Sequence, residues 1–211
     1  MSYKLDIFNT AGEKVKTIDL PENIFNDDNI NEDLIHEFVV MQLANARHPI
    51  AHTKTRGEVA YSGRKLYRQK WTGNARVWDA GSPIRRKWGV AFWPRNDRNF
   101  FKDMPKKQRR KALFGTLTLK VKDNELIGLE DFKLEQPKTK KAVEILNNLN
   151  LYGKKVLLVL PEKDENIIKS FRNIEGLKYI LVNYVNPYDL LTHKKVVFLE
   201  SSLNKLSEIF S

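Results

Sequence analysis

The sequence predicts an α/β domain, with a largely parallel sheet flanked by helices and a long extended basic loop inserted between two of those helices. Three observations carry this reading. Strand-like apolar runs alternate with helix-period segments from about residue 125 to the C-terminus, the pattern of a parallel sheet with crossover helices. The run Val156–Leu160 is apolar at every position, as a strand buried on both faces must be. Between Arg47 and Lys111 the periodicity stops, and Gly57, Gly63, Gly73, Gly81 and Gly89 with Pro49, Pro83, Pro94 and Pro105 break any regular pattern.

Taken in order, residues 3–8 and 14–20 alternate as strands around Ala11-Gly12, which predicts an N-terminal hairpin. From Ile30, the apolar residues Leu34, Ile35, Phe38, Val39 and Leu43 make one helical stripe running to about Arg47, with Asn29 or Asn31 as its cap. After the loop, Pro105 suits a helix N-terminus, and Lys106–Phe114 reads as a short basic helix ending near Gly115. Glu125–Leu129 is a strand, and Pro137–Leu149 a helix with Ala142, Val143, Leu146 and Leu149 inward, closed by Gly153. Lys155–Leu160 is a strand, Glu162–Asn173 a helix and Tyr179–Val182 a strand. A short helix starts at Asn186-Pro187, Lys195–Leu199 is a strand, and Ser201 or Ser202 caps a final helix through Ile209. The expected organisation is one globular domain from residues 1–47 and 105–211, interrupted by a loop over 48–104.

Charge separates the same two parts. The chain of 211 residues carries a net charge of +11. The window from Arg47 to Lys111 alone holds 19 Lys/Arg against 4 acids, so the remainder, with 18 basic and 22 acidic residues, is slightly acidic. A polyanionic partner is the first inference, nucleic acid ahead of membrane. The window also holds Tyr61, Tyr67, Trp71, Trp78, Trp88, Phe92, Trp93, Phe100 and Phe101, which would leave a large apolar area in water if nothing covered it. Arg64-Lys65-Leu66-Tyr67-Arg68-Gln69-Lys70-Trp71 combines phosphate-pairing cations with a planar amide and two rings. That combination suits structured RNA with unpaired bases. A structureless segment of this length is expected to fold against its partner. In Lys106–Phe114 the pairs Lys106/Arg110 and Lys107/Lys111 repel at i,i+4, and an anion along that face would relieve them.

Other chemistry is excluded or weak. There is no cysteine, which removes disulfides, thiolate metal sites and cysteine nucleophiles and fits a reducing cytosol. No two glycines lie two residues apart, so neither GxGxxG nor a P-loop can be written, and no GxSxG occurs. His48 and His52 have zinc-like spacing, but Pro49 between them favours an extended chain. No catalytic residue, metal site or cofactor is expected, and no membrane span or secretory signal is read from the residues.

The ordered motifs resemble a known family. Ala44-Asn45-Ala46-Arg47, Thr53-Lys54-Thr55-Arg56-Gly57-Glu58-Val59, Gly63-Arg64-Lys65, and Arg68-Gln69-Lys70-x-Thr72-Gly73-x-Ala75-Arg76 are followed by Ser82-Pro83 and Gly89-Val90. Pro105-Lys106-Lys107-x-Arg109-Arg110-x-Ala112-Leu113, Pro137-Lys138-Thr139-Lys140, Asp164-Glu165-Asn166 and Asn173 continue in the same order. This series resembles ribosomal large-subunit protein four of the bacterial type, over essentially the whole chain. The loop departs from the family where Tyr61-Ser62-Gly63 replaces a Gly-Gly-Gly run, Leu66-Tyr67 a Pro-Trp, Trp71 a Gly, Asn74 an Arg, and Arg86-Lys87-Trp88-Gly89 an Arg-Gly-Gly-Gly pattern. Bulky residues in place of glycine change how closely backbone can approach phosphate.

The resemblance implies a cytoplasmic structural constituent of the large ribosomal subunit. Its globular domain would lie on the solvent side, and its loop would thread through ribosomal RNA to the wall of the nascent-peptide exit tunnel. Lys54, Arg56, Arg64, Lys65, Arg68, Gln69, Lys70, Thr72, Arg76, Arg85, Arg86 and Lys87 would contact large-subunit RNA from the loop. Lys106, Lys107, Arg109 and Arg110 would do so from the following helix. The tip Gln69-Lys70-Trp71-Thr72-Gly73 would approach the tunnel constriction near ribosomal large-subunit protein twenty-two, close to where macrolides bind. The role is assembly and scaffolding, with the loop neutralising phosphates. Two other classes compete: a free regulatory RNA-binding protein, and a small basic ribonuclease built on His48, His52 and Glu58.

Overall fold

Asn9 starts the chain reversal that opens the fold, its side-chain oxygen accepting hydrogen bonds from the Ala11 and Glu13 amides at 2.9 Å each. Gly12 completes the turn at φ +87°, a left-handed conformation that glycine adopts without steric cost. The turn joins β1 (Lys4–Phe8) to β2 (Lys14–Asp19) as the expected antiparallel hairpin. The computed structural model describes residues 3–85 and 89–210.

The remaining strands are β3 (Leu126–Leu129), β4 (Val156–Leu160), β5 (Leu177–Leu181) and β6 (Lys195–Leu199). They form one six-stranded sheet in the order β2-β1-β3-β6-β4-β5, parallel everywhere except between β1 and β2. The α/β class and largely parallel sheet are therefore as the sequence predicts. β4 explains the continuous apolar run. Leu157 and Val159 belong to a core with Leu5, Phe25, Leu117, Val196 and Phe198, whereas Val156, Leu158 and Leu160 join Leu129, Leu146, Phe171, Val197 and Leu199. Alternating side chains thus fill both layers.

Six α-helices and two short 3-10 turns (Asp27–Asn29 and Val182–Tyr184) complete the described residues; the α-helices are α1 (Glu32–Asn45), α2 (Lys106–Lys122), α3 (Thr139–Asn148), α4 (Glu165–Phe171), α5 (Pro187–Thr192) and α6 (Glu200–Phe210). Side-chain caps set several starts, at Asn31 and Asn186 as expected, and at Asp164 in place of the expected start at Glu162, so that α4 is shorter than Glu162–Asn173. Asn31 accepts from the Leu34 amide, Asp164 from Asn166 and Ile167, and Asn186 from Asp189.

Three local expectations are corrected. α2 does not end at Gly115 but runs through it to Lys122. A Cβ at Gly115 would lie 2.6 Å from the Asn29 carbonyl oxygen, so this glycine permits close backbone approach instead of stopping the helix. α6 is not opened by Ser201 or Ser202 as a local cap. The Asp131 carboxylate, 70 residues away, accepts from both the amide and the hydroxyl of Ser201, while Ser202 donates its hydroxyl back to Leu199. In α3 the buried positions are Ala142, Ile145 and Leu146, with Val143 and Leu149 half-buried.

The chain divides into two compact units, one made of the chain up to Gln42 and from Asp103 onward, the other of Leu43–Lys102. The first contains the sheet and its two cores. Among the described residues the second has no strand, and no helix beyond the last residues of α1.

Candidate nucleic-acid interface

The unit Leu43–Lys102 holds its shape by cross-links between its two arms, in place of a ladder of regular structure. At its base, Asn45 and Lys102 pair reciprocally. The Asn45 amide donates to the Lys102 carbonyl at 3.0 Å, and the Lys102 amide donates to the Asn45 side-chain oxygen at 2.8 Å. Next, the Phe100 ring takes two guanidinium groups, Arg47 at 4.2 Å and Arg98 at 4.9 Å from its centroid, each a cation–π contact. Farther along, the Thr53 amide donates to the Pro94 carbonyl and the Val90 amide to the Lys54 carbonyl, each at 3.1 Å.

Two acids fasten arginines inside this frame. Glu58 accepts the Thr55 amide at 2.8 Å and one Arg95 nitrogen at 3.0 and 3.2 Å on its two oxygens. The Thr55 hydrogen bond first, and the Arg95 charge after it, hold the Glu58 carboxyl below the ordinary glutamate value. Asp79, only 6 % exposed, accepts Arg56 at 2.7 Å and the Gly81 amide at 3.1 Å. Arg56 also donates to Tyr61, and the two partners raise its pKa, Tyr61 first. The Tyr61 ring lies over Gly81, where an added Cβ would come within 2.3 Å of it. Gly89 is packed in the same way on the Arg56 backbone, where an added Cβ would come within 2.5 Å of the Arg56 nitrogen. These two glycines are contact positions, which their sequence context as punctuation does not reveal.

The tip is closed by the Leu66 amide donating to the Trp78 carbonyl at 2.8 Å and by the Tyr67 hydroxyl donating to Ala75. Lys65 donates to the Gln69 side chain at 2.6 Å and stands 5.1 Å from the Trp78 ring centroid. Arg68 reaches the Trp71 carbonyl at 2.9 Å. Trp71 has a left-handed backbone at φ +68° and is 86 % exposed, and Gly73 follows at φ +71°. Lys54, Arg64, Arg68, Gln69, Lys70, Arg76 and Arg85 are exposed, and Thr72 is half-buried. Arg86 and Lys87 lie outside the described residues.

In the other unit, Lys106, Lys107, Arg109 and Arg110 are all exposed in the first turns of α2. Arg109 donates to the Met104 carbonyl at 2.7 Å and pairs with Asp103 at 3.6 Å, while Arg110 lies 5.5 Å from the Phe210 ring centroid. The basic N-terminus of this helix opposes the helix dipole, a cost an external anion would offset.

Leu43–Lys102 has 14 Lys/Arg against 3 acids, and the rest of the chain has 23 of each sign. All of the net charge therefore belongs to this unit. With two of its three acids engaged by arginines, it presents a cationic surface carrying exposed rings, suited to phosphate and to unpaired bases. The histidine pair offers little chemistry. His52 stands 3.6 Å from Glu58, whose carboxylate is already held by Thr55 and Arg95. Among the described residues no cluster of three acidic, histidine or cysteine side chains could hold a metal, and no helix is long and apolar enough to cross a membrane.

Comparison with known proteins gives a consistent set. Residues 18–209 match the model of a family described as Ribosomal protein L4/L1 family. The large ribosomal subunit protein uL4 of Halothermothrix orenii is 45 % identical over 204 residues, 97 % of each chain. That of Alkaliphilus oremlandii is 44 % identical over 208 residues, 99 % of each chain, and that of Clostridium novyi 42 % identical over 207 residues, 98 % of each.

Proposed function

This chain belongs to the ribosomal protein L4/L1 family, and from that premise we propose that Leu43–Lys102 binds large-subunit ribosomal RNA, supports its assembly, and lines part of the nascent-peptide exit tunnel with its tip. The protein is a structural component of the large ribosomal subunit, in the cytoplasm, and not an enzyme. The observation that carries the RNA reading is the location of the charge: the whole excess of +11 is on Leu43–Lys102. A frame of short cross-links holds that charge in place, so fewer conformations are lost when RNA packs on it.

The residues divide by what they do in the frame. Lys54, Arg64, Lys70, Arg76 and Arg85 are exposed cations free to track a phosphate backbone. Arg56, Lys65 and Arg68 also hold the loop together through Asp79, Gln69 and the Trp71 carbonyl. The Arg56 side chain is still half exposed, so one edge of the guanidinium can meet RNA while the other holds Asp79. Gln69, Thr72 and Gly73 form the tip with Lys70 and Trp71, which we assign to the tunnel wall beside ribosomal large-subunit protein twenty-two. Lys106, Lys107, Arg109 and Arg110 grip RNA from α2.

Sedimentation of a native lysate tests this function. The protein is expected to run stoichiometrically with the large subunit and to stay there through a wash in about 1 M salt, where exposed charge contacts alone are screened. Recovery at the top of the gradient would overturn it and favour a free RNA-binding protein.

A further inference from the structure

Ala91, Phe92 and Trp93 form a three-residue bulge clipped at both ends. The Val90 amide bonds to Lys54 before it, and the Pro94 carbonyl accepts from Thr53 after it, so three residues stand opposite the single Thr53-Lys54 step. The second clip is doubled by the Thr53 hydroxyl, which also donates to Pro94, and followed by the Arg95–Glu58 pair. All three bulge residues are exposed. Phe92 is fully so, and its backbone is left-handed at φ +59°, a conformation that a bulky side chain adopts only where its surroundings impose it. Three other rings of the unit already have contacts of their own: Phe100 with Arg47 and Arg98, Trp78 with Lys65, Tyr61 with Gly81.

We propose that this bulge is a stacking platform for an unpaired base of large-subunit RNA, with Phe92 as the contacting ring. The proposal rests on the RNA reading above and adds a site to it. Two features select RNA as the occupant. The bulge stands opposite the exposed cation Lys54, in a unit with 14 Lys/Arg and 3 acids, so a partner must bring negative charge as well as an apolar face. An unpaired nucleotide supplies both in one group. The clips on both sides hold the backbone that carries the ring before binding, which lowers the ordering cost of the contact.

The test uses the full chain and large-subunit RNA transcribed in vitro. Phe92→Ala is expected to weaken binding about tenfold and Phe92→Tyr to bind like the parent. The log-log salt slope should stay unchanged in both, because no charge is removed. Lys54→Ala should instead lower that slope by about one. If the parent protein binds and Phe92→Ala binds equally well, the stacking site is overturned and the wider RNA reading stands. If the parent shows no salt-dependent binding, both fall. A photo-crosslinking residue at position 92 in assembled subunits should join to RNA; joining to a protein instead would overturn the site.

Discussion

The Asp79 carboxylate, shielded from water, lies 2.7 Å from the Arg56 guanidinium 23 residues earlier, inside the most basic part of the chain. One acid there neutralises local repulsion and leaves the neighbouring cations directed outward. The pair also ties Tyr61 and Gly81 into one contact, since Arg56 bonds Tyr61 and Asp79 accepts the Gly81 amide.

Asp79→Asn removes the charge but keeps the shape. Because Arg56 is half exposed, part of the loss is made up by water, and the expected cost is about 1–3 kcal/mol of local stability. Hydrogen exchange at the Val90 and Gly81 amides should accelerate, while the amides of β4 and β6 keep their protection. Equal loss in both places would mean that Asp79 stabilises the whole fold.

Glu58 gives a pH response of defined sign. Its folded value lies below the reference of 4.5, with the Thr55 hydrogen bond as first cause. As pH falls, the unfolded chain therefore takes up the proton first. The stabilisation is complete above that reference value and disappears as pH drops through the lower folded value. In an NMR titration the Thr55 amide signal should lose its hydrogen-bonded shift in this range. Glu58→Gln should abolish the transition, and its persistence in that variant would exclude Glu58 as the source.

Gly115→Ala tests the close approach of α2 to the backbone at Asn29. Helix propensity alone favours alanine by about 1 kcal/mol, but the new Cβ would stand 2.6 Å from a carbonyl oxygen. Overpacking of that kind costs about 1–3 kcal/mol, so the melting temperature should fall. Gly63→Ala, with nothing within 4 Å, should leave it unchanged within about a degree or two. A higher melting temperature for Gly115→Ala would contradict the contact.

The basic start of α2 separates cations by their second duties. Lys106→Ala should reduce the salt slope of RNA binding by about one and leave thermal stability alone. Arg109→Ala should reduce both, because Arg109 also holds the Met104 carbonyl and Asp103. Equal melting temperatures for the two variants would show that those contacts contribute nothing.

Local pattern made the sheet legible and long-range pairing did not. Strand β6 coincides with the run Lys195–Leu199, and β4 differs from its expected span only at Lys155, since an unbroken β-branched and apolar run has few other uses. Gly115 misleads because a glycine that ends a helix and one that admits a neighbouring backbone look alike in one dimension. Ser201 has the residue type of a cap, but the group that satisfies the helix start is Asp131, which no local motif marks. In the basic unit, composition identified the chemistry. The frame of Asn45–Lys102, Arg47–Phe100, Arg56–Asp79 and Thr53–Pro94 stayed hidden, because each pair joins residues 23 to 57 positions apart without a periodic signal. Phe92 is visible in the sequence as one aromatic among nine; its left-handed backbone and exposure are shared with Trp71, and what sets it apart is its place between two backbone clips 41 and 36 residues from their partners.

In the proposed function the charge of Leu43–Lys102 and the start of α2 hold RNA by neutralising its phosphates. The most direct test is a filter-binding titration of the full chain on large-subunit RNA across a range of salt concentrations. About ten engaged phosphates predict a log-log slope of roughly −7 to −9; a slope near −2 would mean that the charge of this unit is not what holds the RNA.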